Sequence, residues 1–223
     1  MKHYFNLRTI LLIVIIITAC MSPYHGENEE GLPIKETPVI ESDLFIPTDT
    51  ENEIRFYTND SKYRRSTGLT LWTHCSDEGT FPERTVNMRK NLGSNIAGYG
   101  LIICSAPRQV EDRMENVFLT IMINNNRQYA IGKVIGGSYT ALVNWTEASG
   151  LINGVGIDNR ICIQKDAENS NKYHLFFNGV NDGFFVDEES PRCEGFGKNG
   201  YVVVIAPDDL NNSAIEVRFK ESL

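Results

Sequence analysis

From about Glu51 onward the chain runs as short stretches of alternating apolar and polar residues, separated by turn residues. Apolar positions spaced by two mark strands, whereas a helix would space them by three and four. The densest stretch spans residues 157–205. Residues 161–164 read as a strand, residues 166–171 as a polar turn, and residues 173–177 as a second strand. Tyr173, Leu175 and Phe177 share one face because strand side chains alternate. Asn178-Gly179 turns the chain into residues 183–186, and residues 201–205 follow a Gly-rich loop. Further strands are predicted over 54–57, 68–73, 84–89, 101–104, 117–123, 127–133 and 138–142. Runs 101–104 and 117–123 are apolar on both faces, which places them centrally. Residues 144–156, with Trp145, read as a loop. The last strand covers 214–219, with Ile215, Val217 and Phe219 inward and Glu216 and Arg218 outward. Short strands at even spacing predict an all-β protein, an antiparallel two-sheet sandwich or barrel.

The front of the chain has a different pattern. Lys2 and Arg8 precede an unbroken apolar run over 10–17. That run is shorter than the ~20 residues a membrane-spanning helix needs, and it ends in small residues, as secretory signals do. Ile17-Thr18-Ala19-Cys20 resembles the lipobox of bacterial lipoproteins. The resemblance implies a signal peptide over 1–19, cleavage before Cys20, and lipidation of Cys20 through its thiol and new amino end, palmitate included. No Asp follows Cys20, which points to the outer membrane or cell surface of a bacterial envelope. The membrane is then a partner through the anchor. Residues 20–50 carry spaced Pro and Gly among Glu and Thr and read as a flexible tether. Within it, residues 44–46 are apolar enough to add an edge strand. The sandwich domain is expected over 51–223.

The net charge of −8 changes the list of partners. An acidic surface repels phosphate, so nucleic acid is not an expected partner.

Several groups of residues carry a resemblance over the domain. They are Gly98-Tyr99-Gly100-Leu101-Ile102, residues 118–123, Tyr129-Ala130-Ile131, Trp145-Thr146, residues 159–163, Phe176-Phe177-Asn178-Gly179 and Gly195-Phe196-Gly197 with Gly200-Tyr201. Their order resembles the concanavalin A-like jelly roll, the two-sheet β-sandwich of lectins and glucanases, and the laminin-G-like domains. The resemblance implies an Asn at the head of an inner strand and an Asn-Gly hairpin within the sandwich.

Candidate chemistry is sparse. Cys75, Cys104, Cys162 and Cys193 remain once Cys20 is lipidated, and an oxidising compartment favours disulfides. Local closure favours Cys75–Cys104 and Cys162–Cys193, with free buried thiols as the alternative. No CxxC or HxxH spacing exists, so no metal site is expected, His74 beside Cys75 included. No cofactor is expected. Asp158 or Asp182 could contribute oxygens to calcium but read better as turn residues. Glycoside hydrolases of this superfamily set two carboxylates across the scissile bond. Acidic residues two apart within an apolar strand are not found, and Asp187-Glu188-Glu189 reads as solvated loop charge. The chain is therefore expected not to be an enzyme. Sugar rings stack on aromatic side chains, and the candidates are Trp145, Tyr139, Trp72, Tyr129 and Phe176. The expected function is that of a lipid-anchored cell-envelope protein with a non-catalytic, lectin-like module for a polysaccharide or a surface or matrix protein. The alternatives are a glycoside hydrolase of the same superfamily and a structural envelope protein without a small ligand.

Overall fold

The computed structural model describes residues 44–59, 70–80, 83–193, 196–205 and 214–222. Cys20, the signal segment and the tether up to residue 43 lie outside the described residues. In chain order the strands are β1 (Phe45–Pro47), β2 (Glu53–Thr58), β3 (Thr70–Thr80), β4 (Glu83–Leu92), β5 (Tyr99–Val110), β6 (Arg113–Ile123) and β7 (Gln128–Ile135). They continue with β8 (Ser138–Glu147), β9 (Asn159–Lys165), β10 (Lys172–Phe177), β11 (Val180–Val186), β12 (Phe196–Ile205) and β13 (Ile215–Glu221). A seven-stranded sheet has the order β1-β2-β13-β4-β9-β10-β11, and a six-stranded sheet the order β3-β12-β5-β6-β7-β8. All pairings are antiparallel, as the alternation predicts, and the two sheets form a jelly-roll sandwich.

The core lies between the sheets. Phe56, Met88, Ile161, Tyr173, Phe177 and Phe219 from the seven-stranded sheet meet Tyr99, Leu101, Leu119, Ile121, Ile131 and Val203 from the six-stranded sheet. Each is buried, and each such side chain contributes roughly 1.5–3 kcal/mol of hydrophobic free energy. The sheets differ on their outer faces. On β4 and β10 of the seven-stranded sheet the burial alternates, for example Val86 and Met88 buried on β4 with Asn87 and Arg89 half-exposed. The six-stranded sheet carries a second apolar cluster, Ile102, Phe118, Met122, Val134, Val202 and Val204, on its outer side. That second cluster is why β5 and β6 read as apolar on both faces. Residues 45–47 of the expected tether pair with β2 at the sheet edge, with Phe45 stacked edge-on at 5.0 Å from Phe56.

Local sequence fixes the hairpin of β10 and β11. Phe177 stands opposite Val180, so the turn has two residues, and Asn178 and Gly179 have φ of 52° and 84°. Two successive positive φ angles define the turn that matches strand twist, and Asn-Gly is the pair that adopts it most readily.

The expected cysteine pairs are both replaced. Cys104 bonds to Cys193, with Cα atoms 5.8 Å apart, and Cys162 is a free thiol. The reason is a bulge in β5. The register with β6 shifts between Ile103 and Ala106, and Cys104 has φ of 61°. Two successive residues, Ile103 and Cys104, therefore both reach the inner core, and strict alternation breaks.

The Asp187 segment also departs from expectation. Asp187 is fully buried and pairs with Lys133, which projects from β7 into the same end of the core at 1% exposure. Asp187 Oδ2 accepts from Cys193 N at 3.1 Å, and Lys133 Nζ donates to Glu189 O at 2.7 Å. A buried lysine needs a counter-charge, so the acidic run turns inward instead of facing water.

Candidate functional site

The polar outer face of the seven-stranded sheet gathers charges from distant parts of the chain. In the registers of β2, β13 and β4, Arg55 stands opposite Arg218, and Arg218 opposite Arg89. Three guanidinium groups therefore share one row across three neighbouring strands. Like charges directly opposite each other repel, so this row needs carboxylates. Glu216 Oε1 accepts from Arg218 Nε at 2.9 Å and from Asn91 Nδ2 at 3.1 Å, and its Oε2 accepts from Arg55 Nη2 at 3.2 Å. Burial pushes the Glu216 carboxyl up, but the hydrogen bonds from Arg218, Asn91 and Arg55 outweigh it and hold the group below the usual glutamate value. Arg218 also faces Glu53 at 3.5 Å, and Thr48 Oγ1 donates to Glu53 at 2.7 Å. At the other end of the row, Arg89 meets only Asp158 among the described residues, at 3.6 Å.

The next row repeats the theme. Lys220 stands between Glu53 on β2 and Asn87 on β4. A cavity of about 430 Å³ opens over the two rows, lined by Glu53, Asn87, Arg89, Asp158, Arg218 and Lys220, with Thr50 at its rim. Asp158 is brought there by its neighbour. Asn159 heads β9 and is buried, accepting from Ile152 N at 2.8 Å and donating to Ile152 O at 3.0 Å. Asn178 Nδ2 donates to it at 2.8 Å. These bonds hold the loop before β9 against the hairpin turn and leave Asp158 facing the cavity. Farther along the same sheet, Asp166 accepts from His174 at 2.7 Å, and that bond, with the backbone N–H groups of Asn169 and Glu168, holds its carboxyl far below the ordinary range.

The aromatic candidates separate. Trp145 is on strand β8, not in a loop, and is 39% exposed. Its ring lies against Gly98, where an added Cβ would come within 3.0 Å of it. Tyr139, at the other end of β8, covers Gly132, where a Cβ would overlap its ring. The two glycines leave the hollows that the rings fill, so both rings lie on the outer side of the six-stranded sheet. Burial raises the Tyr139 hydroxyl above its ordinary pKa. Tyr129 points the other way, into the core, 5.2 Å from Phe177. Phe176 is half-buried on β10 of the opposite sheet. Trp72 and His74 lie in β3, with side chains outside the described residues. Among the described residues no group of three or more His, Cys, Asp or Glu could hold a metal ion. Asp182, one of the calcium candidates, lies within strand β11 and not in a turn, and accepts from Ser149 N at 3.0 Å and Gly150 N at 3.3 Å.

On the central strand β6 the outward positions are Phe118, Thr120 and Met122, none of them acidic. The carboxylates that open into one cavity are instead Glu53 and Asp158, far apart in sequence and joined only by the sheet. Sequence reasoning missed this cluster because its signal is cross-strand register, which no local spacing reveals.

No protein-family model matches the chain, and no curated protein matches it. Solved structures do. The Bacillus licheniformis β-glucanase superposes with a TM-score of 0.55 at 7% identity, covering 81% of each chain. This is the fold of the β-glucanases. A prokaryotic β-1,3-1,4-glucanase (lichenase) derived from a mouse hindgut metagenome superposes at 0.52 and 6% identity, over 80% of this chain and 81% of its own. The glycoside hydrolase family 16 endo-glucanase of Bacteroides ovatus does so at 0.50 and 7% identity, over 82% and 86%. These neighbours bear out the jelly-roll expectation. They also correct the expectation of a module that is not an enzyme: the three structures named, which superpose over about four fifths of this chain, are glucanases.

Proposed function

We propose that the protein is a polysaccharide-acting enzyme of the glycoside hydrolase type, held at the bacterial cell envelope by a lipid on Cys20. The observation that carries the reading is the pair Glu53 and Asp158 in one cavity on a sandwich that shares its fold with β-glucanases. Glycoside hydrolysis needs one carboxyl to protonate the leaving oxygen and a second to activate water or attack the sugar. Glu53 is the restrained member, held by Thr48 and Arg218. Asp158 is the open member, with 63% of its side chain exposed. Asn87 and Lys220 offer hydrogen bonds to sugar hydroxyls between them.

One observation favours a second glycan contact elsewhere. The exposed Trp145 ring, on the face it shares with Tyr139, has the apolar surface on which sugar rings stack. The two faces are separated by comparing variants. Release of reducing ends from a polysaccharide panel is expected to fall by at least about 100-fold in Glu53→Gln and in Asp158→Asn, as for loss of an acid–base group. Trp145→Ala is expected to keep most of the rate. Full activity in both carboxylate variants, with loss in Trp145→Ala, would move the site to the six-stranded sheet.

The anchor has a separate measurement. Cys20→Ala is expected to shift the protein from the detergent phase to the aqueous phase, since each acyl methylene contributes about 0.8 kcal/mol to membrane binding. Equal partitioning of the two proteins would remove the anchor.

A further inference from the structure

The arginine row suggests which polysaccharide. We infer that the cavity on the seven-stranded sheet recognises an anionic group of the sugar, a uronate carboxylate or a sulfate ester, through Arg89 and Lys220. The inference rests on the hydrolase reading for its polysaccharide and on the charge arrangement for its anion. The protein as a whole carries −8, yet this cavity is lined by three cations and two carboxylates. The cations are not equally committed. Arg218 is tied to Glu216 and Glu53. Arg55, at the end of its row, is tied to Glu216 and lies over the Tyr57 ring at 4.3 Å. Among the described residues Arg89 has one ion pair, 3.6 Å from a carboxylate that is itself mostly exposed. Lys220 is exposed and forms no ion pair with any described residue. The guanidinium of Arg89 and the ammonium of Lys220 lie on adjacent rows of the same sheet face and border the same cavity.

A row of three arginines across neighbouring strands raises the local positive potential, and two carboxylates, Glu216 and Glu53, serve its β2 and β13 end while the β4 end has the mostly exposed Asp158. An anion entering at the Arg89 end would relieve the remaining repulsion and gain charge-assisted hydrogen bonds from both groups. Arg presents a planar fork suited to a carboxylate or a sulfate, and Lys adds a point charge beside it. A neutral glucan offers these two cations hydroxyl oxygens to accept their hydrogen bonds but no counter-charge.

Binding of the purified protein to a polyuronate, a sulfated galactan and a neutral β-glucan tests this by calorimetry at two salt concentrations. One or both anionic polymers are expected to bind about tenfold more tightly than the neutral one, as for one charge-assisted hydrogen bond of about that worth. The difference is expected to shrink with added salt, because exposed charges are screened. Lys220→Gln and Arg89→Gln should each remove most of the preference while leaving the melting temperature within a few degrees of the wild type, since Lys220 is exposed and Arg89 is half-exposed with one weak surface ion pair. The polyuronate and galactan arms tell carboxylate from sulfate. Preferential binding of an anionic polymer without cleavage of any polymer would keep this inference and overturn the hydrolase reading. Cleavage of neutral glucan with no anionic preference would do the reverse. No binding to any of the three, or an unchanged preference in both variants, would overturn the inference.

Discussion

Asp187→Ala is expected to lower the stability of the domain by about 3–5 kcal/mol, the cost of leaving a buried charge without its partner. Lys133 and Asp187 are 1% and 0% exposed, so neither can reach water when the other is removed. The loss is compounded because Asp187 also receives the backbone N–H of Cys193. Lys133 would keep only the Glu189 carbonyl among the partners described for it. The pair is not thereby a large net source of stability. Two charges brought out of water cost most of what their attraction returns. Lys133→Met combined with Asp187→Leu is therefore expected to recover a large part of the loss. Urea denaturation of the three proteins measures both effects. A change under 1 kcal/mol in Asp187→Ala would mean that the pair is hydrated in solution.

The second large effect is the loss of the Cys104–Cys193 bond. The two cysteines are 89 residues apart in sequence. Closing a loop of that size restricts the unfolded chain, and the chain-entropy account assigns it about 4–5 kcal/mol. The bond also pins the segment that carries Asp187 to β5, and the Tyr173 hydroxyl donates to the Cys193 carbonyl at 2.7 Å. Cys104→Ala with Cys193→Ala is expected to lower the melting temperature by about 8–20 °C, at the 2–4 °C per kcal/mol usual for a domain of this size. Because the disulfide and the Lys133–Asp187 pair share one corner, their losses are not expected to add. Non-reducing peptide mapping checks the pairing directly. It should find the 104–193 cross-link, and Cys162 should accept a thiol reagent. A peptide joining Cys162 to Cys193 would contradict the fold at this corner.

Strand positions were legible in the chain because burial alternates as the sequence does. Tyr173, Leu175 and Phe177 are buried while Lys172, His174 and Phe176 are not. The Asn178-Gly179 turn was legible because its backbone demands residues that tolerate positive φ. Three features were not. The Cys104 bulge breaks alternation at one residue, and nothing in Ile102-Ile103-Cys104-Ser105 marks where a strand gains an extra residue. Asp187 looked solvated because its partner Lys133 is 54 residues away on another sheet. Arg55, Arg89 and Arg218 each looked like an ordinary outward charge on its own strand. Only pairing β2, β13 and β4 side by side makes them a row and joins Glu53 to Asp158 across a cavity. Trp145 reads as a loop residue in the sequence because its polar neighbours Asn144, Thr146 and Glu147 hide an edge strand whose outer side faces water.

The polar face of the seven-stranded sheet as a site of polysaccharide cleavage is the central claim, and product formation tests it most directly. The purified protein is incubated with neutral and anionic polysaccharides, and new reducing ends are counted beside Glu53→Gln. The predicted result is chain shortening of at least one polymer by the wild-type protein and its near-complete loss in the variant, with the variant still melting cooperatively as a folded protein. Absence of new reducing ends from every polymer, or cleavage that persists undiminished in Glu53→Gln, would contradict it.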